Sequence, residues 1–502
     1  MRIVVLVLCW LFCLASSWAQ IPQEQGGFVE VEAEDFIAQS LNEKRSWSRI
    51  TNQTPDNHTL GAGKNSYIEC LPDTRTTHND KLIAGENFSN KAGEMAVVSY
   101  KVHFSTTGRF YVWVRAYSTG TEDNGVHVGI DDTWPASGQR MQWCDGKKTW
   151  RWESKQRTEK NHCGEPFNIY LDIEKPGEHL IQFSMREDGF EIDKFLLTTD
   201  QNFNPNNTLK RAQIYIRDPF IFADESTKTY FMFSSANKSE YLPEAVNGVV
   251  VYQSKDLENW LKPIYVFKTP KNMWASDQHG VWAPEVHAYQ GKYYLFATFT
   301  NPEKSLTAIN SNAKTAVRGT AILVADSLNG IYKPLTNHSI TPTNWMALDG
   351  TLFIENGKPY LVFCHEWIQV VDGTMERMAL SKDLSSPKSK PKTMFKASDA
   401  PWAKKLENVK SWNTSGYITD GPWFYRTKGG KLLMLWSSFG TSGYSVGLAE
   451  SSDGKLTGKW TQKERLFEKD GGHAMVFKTF DGQLILTLHQ PNSGDIRARF
   501  LK

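Results

Sequence analysis

Five short phrases in the second half of the chain set a polar side chain among small or turn-forming neighbours. They are R-D-P-F from Arg217, W-A-P-E from Trp282, L-D-G-T from Leu348, T-D-G-P from Thr419 and G-G-H-A from Gly471. Carboxylates and an imidazole are the side chains best suited to moving protons near neutrality. Brought together, Asp218, Asp349, Asp420 and His473 would suit general acid–base work on a bound molecule. Glu285, which follows Pro284, reads as a maker of structural hydrogen bonds.

A repeat supplies the means of bringing them together. After four of the five phrases, a glycine and a basic or amide residue introduce an apolar run: G-K-Y-Y-L-F-A from Gly291, G-K-P-Y-L-V-F from Gly357, G-K-L-L-M-L-W from Gly430 and G-Q-L-I-L-T-L from Gly482. T-K-T-Y-F-M-F from Thr227 is a fifth copy without the glycine. Strand-like units returning at a long, regular spacing predict a radial β-architecture with one blade per return, hence five blades. The first strand of each blade lines the central channel, so the phrases that begin those strands should converge on one funnel.

Composition narrows the ligand. The chain has 502 residues with 57 basic and 55 acidic side chains, a net charge of +2, which points to neither nucleic acid nor an anionic membrane surface. Aromatic residues make up 13%, 18 of them Trp. Aromatic faces pack β-cores and also stack on the C–H faces of sugars, which makes carbohydrate the first ligand class to consider. Met1 to Ala19 reads as a secretory signal, with an apolar run ending at Ser17-Trp18-Ala19, so the protein is expected to be secreted or periplasmic, without a membrane span. Cys144 and Cys163 are close enough in sequence to bridge a loop.

Residues 27–200 alternate short β-rich runs with turn signals and predict an antiparallel sandwich. A polar stretch from Thr198 then separates it from the blades at 211–502, giving an all-β chain overall. Trp150 and Trp152 alternate across Arg151 and, with Trp143 and Asn124, are candidates for a sugar-binding surface. The block shares V-E-A-E-D-F (Val31 to Phe36), F-Y-V-W-V-R-A (Phe110 to Ala116), D-N-G (Asp123 to Gly125) and a closing R-E-D-G-F-E-I-D-K-F-L-L (Arg186 to Leu197) with other sequences. In these it resembles the jelly-roll carbohydrate-binding modules of families 6 and 35. That resemblance implies a structural Ca²⁺ held by Glu32, Glu34 and Asp193, whose hard oxygens suit the ion.

The blade domain carries I-R-D-P-F-I-F, Y-Q-S-K-D-L-E-N-W, V-W-A-P-E-V, A-L-D-G-T-L-F, D-G-P-W-F and G-G-H-A-M-V-F in order. With this set it resembles glycoside hydrolase family 43, five-bladed propellers that invert the sugar they release. The resemblance implies Asp218 as general base and Asp349 as the carboxylate that orients the acid and raises its pKa. It leaves the acid open, because the family usually carries Glu-Gly-Pro where this chain has Asp420-Gly421-Pro422; Glu366, in F-C-H-E-W, is the other candidate. His473 matches a histidine that often holds a metal near the sugar. Trp282, Trp345, Trp367, Trp412 and Trp423 stand beside these motifs as candidate walls of a sugar pocket. The activity so implied is exo-acting α-L-arabinofuranosidase on plant polysaccharide side chains, with an oligo- or polysaccharide as partner. β-Xylosidase, β-galactofuranosidase and a non-catalytic sugar-binding propeller are the alternatives.

Overall fold

The computed structural model describes residues 21–502 apart from 25 and 240; the secretory segment expected over 1–19 lies outside the described residues. Among those described, no helix is long and apolar enough to cross a membrane. The chain divides into two compact units after Asn206, within the polar stretch that begins at Thr198.

The first unit is a sandwich of two seven-stranded sheets. Its strands alternate as a half-buried sheet requires, with Val29 and Val31 of Phe28–Glu32 turned inward and Glu30 and Glu32 outward. Val98, Tyr100, Val102, Phe110, Val112, Val114, Phe183 and Phe195 fill the space between the sheets. Cys144 and Cys163 are joined by a disulfide. Trp143, Trp152 and Asn124 are buried and offer no surface to a sugar, because Trp143 packs on Phe190 and Trp152 on Trp113 and Leu196. Trp150 packs edge-on against Tyr67.

The three expected calcium ligands do not form a cage. The strand Glu191–Thr198 pairs with Phe28–Glu32 in a register that sets Lys194 opposite Glu32. The Lys194 ammonium lies 3.0 Å from Glu30 and 3.4 Å from Glu32. Arg115 pairs with Asp193, and Glu34 accepts from the Ser66 hydroxyl. Among the described residues, no three His, Cys, Asp or Glu side chains are arranged to hold a metal ion. Lys194 and Arg115 thus pair with Glu32 and Asp193, whereas Glu34 has the Ser66 hydroxyl, and Glu32 Oε2 and Glu34 Oε2 are buried without a hydrogen-bond partner.

The second unit, Asn207–Lys502, consists of five antiparallel sheets in chain order and one short hairpin. Their innermost strands are Phe220–Asp224, Trp282–Tyr289, Ala347–Glu355, Asp420–Arg426 and Gly472–Lys478. In the four repeats that carry it, the glycine makes the turn into the second strand. Gln290-Gly291 and Asn356-Gly357 both have positive φ at both residues, the two-residue turn whose twist matches that of a hairpin. Apolar second and third strands then pack blade on blade. Phe233, Val251, Leu295 and Leu323 belong to one such cluster, and Val362, Met375, Met434 and Trp436 to another.

Candidate active site

The five phrases align in the structure as tetrads with one conformational signature once the fourth is shifted to D-G-P-W from Asp420 and the fifth to G-H-A-M from Gly472. The second residue of each, Asp218, Ala283, Asp349, Gly421 and His473, has φ between 42° and 54°, in the left-handed region. In blades two to five it lies in a register break between the inner strand and its neighbour. Such bulges re-aim the side chains around them, and the αL geometry costs a non-glycine residue about 1 kcal/mol or more. Asp218, Asp349 and His473 hold the αL position itself. Asp420 is the first residue of its tetrad, one place earlier, and the αL position there falls to Gly421. A Cβ on Gly421 would come within 2.9 Å of the His473 ring, so both conformation and space call for glycine.

These residues line a cavity of about 550 Å³, a size usual for small-ligand sites, together with Arg217, Trp282, Glu366, Trp367, Trp412, Phe439 and Tyr444. His473 Nδ1 lies 3.3 Å from Asp218 Oδ1 and 3.7 Å from Asp349 Oδ2. His489 Nδ1 is 3.0 Å from Asp218, and Arg217 Nε 3.8 Å. The Asp349 amide donates to Thr298 Oγ1 at 2.8 Å, and its carboxylate accepts from the Gly421 amide at 3.0 Å. The Tyr444 hydroxyl donates to Asp420 Oδ2 at 2.8 Å.

Charge divides the three aspartates. Burial opposes ionisation of Asp218, but His473, His489 and Arg217 outweigh it and hold its carboxyl well below the usual range. Burial pushes Asp349 up to about 7, opposed by His473 and reinforced by Asp420 and Asp218. Asp420 is raised by burial too, although Tyr444, His473 and Arg217 pull the other way. Burial lowers the pKa of His473, yet the carboxylates of Asp218, Asp349 and Asp420 carry it above its ordinary value. The cavity therefore offers a carboxylate ready to accept a proton and a carboxyl that holds one, the two requirements of acid–base cleavage. His473 directs Nδ1 at two carboxylates as an ion-pair partner.

Not every expected residue arrives here. Trp345 stacks on His365 at 3.9 Å and does not line the cavity. Trp423 packs against Phe220 and lines a separate cavity of about 380 Å³. It stands at the fourth place of its tetrad, beyond the bulge, where strand alternation turns it away. Glu285 accepts from His287 at 3.1 Å. The sequence reading did not foresee Tyr444, His489 or Arg318. For Arg318 a signal existed, a lone arginine in the apolar run V-R-G-T-A-I-L-V.

A family model of the glycosyl hydrolases of family 43 matches residues 212–499, more than half of the chain. The chain belongs to glycosyl hydrolase family 43. In this family 43 chain the first unit, residues 23–205, matches a different model, the C-terminal domain of glycosyl hydrolase family 115. Uncharacterized protein P23 of Formosa agariphila is 54% identical over 222 residues, covering 42% of this chain and 53% of that protein. Extracellular endo-α-(1→5)-L-arabinanase 1 of Bacillus subtilis is 28% identical over 127 residues, covering 24% of this chain and 36% of the enzyme. The family 43 chain thus spans about half or less of the length of these curated relatives. The crystal structure of an endo-arabinase from Bacteroides thetaiotaomicron is 39% identical, with a TM-score of 0.51, covering 58% of this chain and 95% of that one.

Proposed function

We propose that the second unit hydrolyses α-L-arabinofuranosyl bonds of plant polysaccharide with inversion, releasing terminal sugars. The observation that carries this reading is the convergence in one cavity of Asp218, whose carboxyl His473, His489 and Arg217 hold down, and Asp420, whose carboxyl burial raises. Asp218 takes a proton from water as that water attacks the anomeric carbon. Asp420 gives its proton to the departing oxygen, and Asp349, held beside it through the Gly421 amide, keeps that proton in place by like charge. Inversion asks for about 6.5–9.5 Å between base and acid, a separation that residues on two different blades can adopt. Burial raises the Glu366 carboxyl against the pull of Arg318, but both its oxygens are engaged by that guanidinium, so Glu366 is not the donor in this reading. Export from the cytoplasm accords with the Cys144–Cys163 disulfide and with an extracellular relative.

A second reading, cleavage within an arabinan chain, is favoured by the identity to an endo-arabinase over 95% of that chain. Product analysis on linear arabinan separates the two: arabinose alone supports end-on release, a ladder of oligosaccharides supports internal cleavage. Proton NMR of the first product tests the stereochemistry, and failure to hydrolyse any arabinoside would overturn both readings.

A further inference from the structure

One wall of the cavity contains an ion pair that the acid–base account does not use. Arg318, on the strand Val317–Ala325, is 1% exposed. Its guanidinium lies 4.2 Å from the ring centre of Trp282 and 5.4 Å from that of Trp412. Nε donates to Thr300 Oγ1 at 3.0 Å, and Nη1 reaches both oxygens of Glu366. Glu366 follows the strand Lys358–His365 and is anchored by its amide, which donates to the Met346 carbonyl at 2.8 Å. Its side chain is 6% exposed, and it lines the cavity with Trp282, Trp412 and Asp420.

Such a pair does little for folding. Removing two charges from water costs several kcal/mol, and apolar replacements of buried pairs are often neutral or stabilising. What it provides is a carboxyl group held in a fixed position through both of its oxygens. Each oxygen of an ionised carboxylate accepts two hydrogen bonds, and Arg318 uses one on each. One lone pair per oxygen remains, in the plane of the group and beside two indole faces.

We propose that Glu366, fixed by Arg318, is a substrate-positioning residue that accepts hydrogen bonds from two neighbouring hydroxyls of the sugar seated beside Asp420, with Trp282 and Trp412 walling its C–H faces. The proposal rests on the glycosidase reading and adds its specificity element. The site selects sugars that carry the hydroxyl pair and rejects analogues lacking one, since the buried carboxylate would then lose a partner.

The test compares wild type, Glu366→Gln, Glu366→Asp and Arg318→Lys on aryl and alkyl α-L-arabinofuranosides and on their monodeoxy analogues. Arabinose binding to the same substitutions in an Asp218→Asn background is followed by calorimetry. Glu366→Gln is expected to lose about 100-fold in kcat/KM, equally for good and poor leaving groups, with an unshifted pH profile. Its preference for the hydroxylated over the deoxy sugar should shrink at least tenfold, and arabinose affinity should fall in parallel. Arg318→Lys and Glu366→Asp, which keep the charges but misplace the acceptor, should show the same pattern and serve should the amide variant not fold. Unchanged deoxy discrimination in a folded variant overturns the proposal. So does a loss confined to poor leaving groups, which would make Glu366 the proton donor. A wild type inactive on every arabinoside would instead overturn the glycosidase reading.

Discussion

Asp218 and Asp420 face one cavity with opposite preferences for the proton, and each preference has a named cause that can be removed. Asp218→Asn keeps the shape of the base but cannot accept a proton, and kcat should fall by about 1,000-fold with an unchanged circular dichroism spectrum. Activity within tenfold of wild type would remove Asp218 as the base. Asp420→Ala should damage alkyl arabinosides far more than aryl ones with acidic phenols, because a good leaving group needs no donated proton. Asp349, pushed up to about 7 beside Asp420, sets the pH response. kcat/KM should decline above about pH 7 as this pair loses its proton. Asp349→Asn, which removes the neighbouring negative charge, should move that decline to lower pH. The same group affects folding. A carboxyl whose pKa is raised on folding contributes stability that is full below the unfolded value and is lost as pH rises through the folded one. The melting temperature of the second unit should therefore drop between pH 5 and 8 in wild type, and the drop should be smaller in Asp349→Asn.

At the scale of the strand, the αL residue at the head of each blade positions the chemistry. Gly421→Ala would impose both backbone strain and a 2.9 Å contact on the His473 ring, and should destabilise the propeller by about 2 kcal/mol while lowering kcat. Thermal melting and steady-state kinetics on the same sample check both effects. Much of this scale was legible before the structure. Glycine turns and apolar runs repeat in the sequence because every blade solves the same packing problem, and so the returns locate Asp218, Asp349 and His473. The phase of the fourth and fifth phrases was not legible, since T-D-G-P and D-G-P-W, or G-G-H-A and G-H-A-M, are equally good strand openings until one knows which residue adopts positive φ. Nor does proximity to a motif reveal direction, which is why Trp345 and Trp423 were expected at the cavity and lie elsewhere. Arg318, Tyr444 and His489 stand one residue from the ends of second and third blade strands, outside the phrases that the repeat marks. The sandwich holds a strand-scale test of its own. Glu69 and Glu191 stand directly opposite on neighbouring strands; burial, with Asp73 and Asp123, lifts Glu69 to about 7, and burial, with Glu69 and Asp123, lifts Glu191 to about 9. Glu191 is thus protonated at neutral pH, and its share of stability is lost as pH rises toward 9. Melting of the first unit should fall between pH 7 and 9.5, and Glu191→Gln should flatten that fall.

At the scale of the whole molecule, every lining residue of the 550 Å³ cavity belongs to the second unit. Replacing Cys144 and Cys163 by serine should cost the first unit about 3 kcal/mol, as expected for opening a loop of this length, while arabinoside hydrolysis at 25 °C stays unchanged. Loss of activity in that variant would show that the sandwich supports the site. The propeller, for its part, closes without a shared strand. Its fifth sheet has three strands, all from Gly472–Leu501, and meets the first through side chains and single backbone bonds: Arg497 Nε to the Ala212 carbonyl at 2.7 Å, the Ile216 amide to the Ile496 carbonyl, and the Arg211 guanidinium over Phe500. Asp218 sits at this seam, and its neighbours His473 and His489, like the Asn492 that holds Arg217, all come from the far side of it. A growing chain that has emerged as far as its fourth blade would own an aspartate at position 218 but no proton acceptor tuned for attack. The site should therefore be complete only once residues 472–502 dock, and a chain ending at Gly471 is expected to release no sugar in a hydrolysis assay.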